Sequence, residues 1–189
     1  MNFIYNFILI LLVVFLTSCA KEKPKVSQIK QKGLDAQVLE AYDEGLDSLK
    51  VGDVLFAAKK FNEAEMLFPQ SQWAPKSALM AAYSYYSQDY LEDAIAELDR
   101  FIKVYPLSRN MDYALYLLAN SHYEKIVDEK KDLQSIILAR DNFNSVIKNF
   151  PNTEYALDSE FKVDLINDIL ASKEMYIGRY YFDKKKWIP

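Results

Sequence analysis

From about residue 34 onward apolar side chains return every three or four positions, and long segments pass without the strict alternation that marks a strand. The helices this pattern predicts run over roughly 35–50, 53–68, 74–87, 91–104, 110–126, 134–149 and 154–171, with a further one from about 173 to 183. Three segments end on related strings, EMLFPQS, IKVYPLS and IKNFPNT. The 37-residue step from Pro69 to Pro106 also carries Ala57 onto Ala94, Phe61 onto Leu98 and Ala64 onto Phe101. Pro151 follows 45 residues after Pro106, with Ala139, Phe143 and Val146 at the matching offsets. The eight additional residues fit in the charged VDEKKDLQ between paired helices, where loops accept insertions at small entropic cost.

The fold expected is all-α, a solenoid of antiparallel helix pairs whose spacing resembles the tetratricopeptide repeat (TPR), usual period about 34. Gly45, Ala57, Phe61, Ala64 and Pro69 fall on that family's small, small, large, small and helix-ending positions, and Ala82, Tyr85, Ala94 and Pro106 repeat the set. Small residues let two helices approach, the bulky residue fills the next groove, and proline stops the second helix. Repeats are expected over about 38–71, 75–108 and 112–153, within a repeat domain of 34–189. Residues 154–189 read as incomplete C-terminal repeats, in which 173–189 resemble a first helix and its turn without the second. A solenoid normally closes on a polar cap, so either the sequence is truncated or this last helix is expected to be exposed and mobile.

The N-terminus has another character. FILILLVVFL, residues 7–16, is an apolar run of signal-peptide length, too short to span a bilayer, and Leu16-Thr17-Ser18-Cys19 resembles the lipobox of bacterial lipoproteins. That resemblance implies removal of 1–18 and acylation of Cys19, the only cysteine. The alternatives are an uncleaved anchor and a buried structural cysteine. No Lys or Arg precedes the apolar run. Ala20, in place of an aspartate that would signal inner-membrane retention, favours the outer membrane. Residues 19–33 read as a flexible tether, whose lysine-rich stretch 20–33, broken by Pro24, could reach about 45 Å fully extended at roughly 3.3 Å per residue.

Composition narrows the chemistry. A net charge of −4 offers no bulk attraction to polyphosphate, so no nucleic acid is expected as a partner, and four glycines form no phosphate-binding loop. One cysteine and one histidine supply no metal cage, and no cofactor is expected beyond the covalent lipid at Cys19. His122 falls where the preceding repeat has Tyr85, a packing position, and Glu63 and Glu65 face different ways on a helix. No catalytic set can be assembled, so the chain is expected not to be an enzyme.

The first helix of each pair carries a second stripe. Leu79, Tyr83 and Tyr86 are followed one repeat later by Tyr113, Tyr116, Asn120 and Tyr123, with Tyr42 upstream. On the concave face of a TPR array such a stripe would form a groove for extended peptides, since tyrosine joins a rigid apolar ring to a hydroxyl. The other reading is that these rings pack against the next pair.

The lipobox, the tether and the strings DRFIKVYPLSRNMDYALYLLANSHY (99–123) and LASKEMYIGRYYFDKKKW (170–187) together resemble the BamD (ComL/YfiO) family of outer-membrane assembly lipoproteins. The resemblance implies a non-catalytic, lipid-anchored scaffold on the periplasmic face of the outer membrane. Its implied partners are a BamA-like, POTRA-bearing insertase, the other lipoproteins of the BAM complex, unfolded β-barrel clients and the lipid bilayer. It also implies that the N-terminal repeats, and hence the tyrosine stripe, hold client segments. The alternative is another envelope TPR lipoprotein, an adaptor for division or peptidoglycan enzymes.

Overall fold

The computed structural model describes residues 33–126 and 133–185. Seven helices occur among these residues: α1 (Leu34–Lys50), α2 (Val54–Leu67), α3 (Trp73–Tyr86), α4 (Leu91–Val104), α5 (Met111–Glu124), α6 (Leu133–Asn149) and α7 (Glu154–Asp183). The fold is an all-α, TPR-like repeat. Each helix packs on its neighbours in sequence, and α1, α3, α5 and α7 also touch one another in turn, whereas the backbones of α2 and α4 do not. The odd-numbered helices therefore lie closer together than the even ones and form the inner row of the stack.

The repeat arithmetic maps directly onto burial. Ala57, Ala94 and Ala139 are fully buried, as are Phe61, Leu98 and Phe143, and Ala64, Phe101 and Val146. Each set is one layer of contact between an even helix and the odd helices flanking it. Gly45 of α1 shows how close that contact is. A Cβ there would lie 2.8 Å from Cε1 of Phe61, whose ring is fully buried and has no room to retreat. Gly45→Ala is expected to cost a net of about 1 kcal/mol, because overpacking at about 1–3 kcal/mol exceeds the roughly 1 kcal/mol gained in helix propensity. Urea denaturation of Gly45→Ala, of Phe61→Leu and of the double variant checks this: Gly45→Ala should cost less in the Phe61→Leu background than in the native chain.

The helix ends follow local chemistry. α2, α4 and α6 each stop two residues before Pro69, Pro106 and Pro151, because the proline ring bars the preceding residue from the helical region. Phe68 and Tyr105 accordingly take φ of −147° and −121°. Asp53 caps α2 by accepting from the Phe56 N–H at 3.1 Å, and Thr153 caps α7 by accepting from the Ala156 N–H at 3.2 Å. Gly52 turns the chain between α1 and α2 with φ of +83°, a conformation that glycine adopts without strain.

One expectation fails. The helices expected over 154–171 and 173–183 are a single helix, α7, of 30 residues. Ser172 is neither proline nor glycine and leaves the backbone ladder intact, so nothing there can end a helix. The first half of α7 buries Ala156 and Ser159 and packs on α6 through Val163 and Ile166, while Met175, Tyr176 and Phe182 in its second half are more than half exposed.

Candidate functional site

The proposed stripe divides into two groups. Tyr42, Leu79 and Asn120 are core residues, 5 %, 5 % and 4 % exposed, and offer no surface to a partner. Tyr42 lies edge-on to Phe61 at 5.2 Å and against Trp73 at 5.3 Å. Leu79 belongs to the cluster around Leu98 and Phe101, and the Asn120 amide donates to the Tyr116 carbonyl at 3.0 Å. Small neighbours such as Ala41, Ala78 and Ala119 leave room for these side chains to sink between helices instead of lining the inner row.

Tyr83, Tyr86, Tyr113, Tyr116 and Tyr123 are only partly buried. Two of them tie one odd helix to the next. The Tyr86 hydroxyl on α3 donates to Glu124 at the end of α5, and the Tyr116 hydroxyl on α5 donates to Asp158 on α7 at 2.6 Å. Tyr123 packs edge-on to Phe143 and lies under the Lys162 ammonium, 5.2 Å from its ring centre. Hydrogen bonds to carboxylates are charge-assisted, so these pairs join successive repeats as well as shape the face.

Tyr155 was not singled out by its sequence. Its ring lies 5.4 Å from that of Tyr113 and 5.1 Å from that of Tyr116. The signal was available: Tyr113-Ala114-Leu115 recurs as Tyr155-Ala156-Leu157. Trp73 of α3 likewise joins the inner row beside Tyr42, with Lys76 4.8 Å above its ring.

The phenols here are hard to ionise. Burial first, then hydrogen bonding to Asp158, pushes Tyr116 up to about 12, and burial with neighbouring phenols pushes Tyr113 to about 12. Because the folded values lie above the ordinary value of 10.0, the stability these groups contribute is complete below pH 10 and lost as pH rises toward 12. Alkaline titration followed by tyrosinate absorbance and circular dichroism should therefore show late-ionising tyrosines that titrate together with unfolding. His122 is partly buried beside α4, and burial lowers its pKa against the pull of Asp99. Among the described residues no group of three or more His, Cys, Asp and Glu is placed to hold a metal ion.

Cys19, the expected signal segment and the expected tether as far as residue 32 lie outside the described residues. Two open cavities occur on the side of the even helices. One, of about 630 Å³, is lined by α2 and Tyr85, and the other, of about 390 Å³, lies between α2 and α4.

Comparison with known proteins matches residues 34–189 to the family model YfiO, described as "Outer membrane lipoprotein". The chain belongs to this family. YfiO-family relatives include proteins named "Outer membrane protein assembly factor BamD" from Caulobacter vibrioides, 41% identical over 74% of this chain and 46% of the relative, and from Rickettsia prowazekii, 40% identical over 79% and 60%. A relative of the same name from Neisseria meningitidis is 32% identical over 92% of this chain and 68% of its own length. The chain thus spans about half to two thirds of the length of these relatives. Among the described residues no helix is long and apolar enough to cross a membrane.

Proposed function

We propose that the chain works in the assembly of outer-membrane β-barrel proteins, as a scaffold that holds extended client segments on its inner helix row. The observation that carries the reading is that face itself: partly buried tyrosines from α3, α5 and α7 meet there. Tyr83, Tyr113 and Tyr155 make no side-chain hydrogen bond to another described residue. Rigid rings with available hydroxyls suit a polypeptide whose backbone groups need partners. The names of the YfiO-family relatives, all assembly factors, support the same role.

In this reading acylation of Cys19 anchors the protein to the periplasmic face of the outer membrane. Several acyl chains anchor firmly where one binds marginally, at about 0.8 kcal/mol per buried methylene. The partners are a POTRA-bearing insertase, its companion lipoproteins and unfolded barrel proteins. Binding, not bond-making, is the task.

Fluorescence anisotropy with a labelled segment from the end of an outer-membrane barrel tests the reading. Tyr83→Ala, which removes a ring without breaking an inter-helix hydrogen bond, should weaken binding about tenfold while helicity is retained. Unchanged affinity in Tyr83→Ala and Tyr155→Ala would place the client elsewhere.

A further inference from the structure

The tyrosine face is bordered by acids. Glu124 and Asp158 accept the Tyr86 and Tyr116 hydroxyls, and Asp112 and Glu154 are close enough to Tyr155 to bear on its ionisation. Two carboxylates therefore touch the face that carries Tyr83, Tyr86, Tyr113, Tyr116 and Tyr155, and two more act on its Tyr155 end. Nearby cations are engaged: Lys162 lies 3.9 Å from Asp158 and over Tyr123, and Lys125 pairs with Glu92 of α4. Two effects then act in one direction. The face of a tyrosine ring attracts a cation, and a phenol that donates to a carboxylate makes its ring richer in electrons. The carboxylates add a field that is only partly screened across a few ångströms.

We propose that this face selects cationic segments, with lysine or arginine side chains of the bound polypeptide laid over the rings between Tyr83 and Tyr155 and their charges turned toward Glu124 and Asp158. The proposal rests on the client-binding reading above and adds the chemical class of the client. Apolar and aromatic side chains of the segment contribute area, and the basic ones decide register. An acidic segment of equal apolar content meets repulsion from the bordering carboxylates.

The test uses the whole chain and two extended peptides with blocked termini, identical except that one has lysine where the other has glutamate. At low salt the lysine peptide should bind about tenfold more tightly. The ratio should fall toward one in Glu124→Gln/Asp158→Asn and as salt is raised. Should that variant lose helicity, Asp112→Asn/Glu154→Gln, which alters two acids that accept no inter-helix hydrogen bond, must reduce the ratio instead. Equal affinity of the intact protein for both peptides overturns the charge selection and leaves client binding standing. Failure to bind either peptide sinks both.

Discussion

Phe61→Ala is expected to destabilise the repeat by about 4 kcal/mol, within the roughly 3–5 kcal/mol typical of losing a fully buried aromatic side chain. The ring meets Tyr42 edge-on at 5.2 Å, lies against Gly45 and is wholly removed from solvent. Its removal leaves a cavity between α1 and α2, because the close contact at Gly45 is made by the ring itself. Phe61→Leu, which retains much of the volume, should cost about half as much. In a repeat array each unit leans mainly on its neighbours, so the damage should be local. Hydrogen exchange should show amides of α1–α3 opening more readily while those of α5 and α6 keep most of their protection; uniform loss along the chain would mean that the stack unfolds as one unit.

Glu65→Ala carries the second large effect, about 2 kcal/mol, the size expected for hydrogen bonds made by a charged group. The Glu65 carboxylate accepts from both Arg100 terminal nitrogens, at 2.8 and 2.7 Å, and from the Tyr105 hydroxyl at 2.6 Å. Since the backbones of α2 and α4 do not touch, this cluster, with Asn62 donating to Glu97, spans the space between two even helices. Burial alone would raise the pKa of Glu65, but the bonds from Arg100 and Tyr105 prevail and lower it. The sign follows from linkage: stability is present above the ordinary value of 4.5 and lost as pH falls through the lower folded value. The gap between the native chain and Glu65→Ala in urea titrations should therefore be constant near neutrality and narrow in acid. A gap independent of pH would mean that packing, and not charge, sets the effect.

Residues that repeat were legible, and those that depend on how repeats meet were not. Ala57, Phe61 and Ala64 declared themselves through partners one period later, and burial places every member of those sets in the core. The prolines marked helix ends because their steric effect is local. A ring on an odd helix is ambiguous by comparison, since inner row and inter-repeat seam lie side by side on its surface. Tyr42 and Leu79 fell into the seam beside alanines, whereas Tyr83 and Tyr113 remained partly open, a difference set by neighbours distant in sequence. Tyr155 escaped notice because the 42-residue step from Tyr113 departs from the 37-residue period. The unbroken α7 shows the converse limit: a pattern that weakens at Ser172 without Pro or Gly marks a change of environment and not an end of helix.

Photo-crosslinking gives the most direct test of the inner row as the client-binding face. A benzophenone amino acid is placed at Tyr83, at Tyr155 or, on the even-helix side, at Val104 beside the smaller cavity. Each protein is then mixed with an unfolded outer-membrane barrel segment. Adducts from Tyr83 and Tyr155 that an unlabelled segment competes away, with none from Val104, are the expected result; adducts from Val104 with none from the two tyrosine positions would contradict the account.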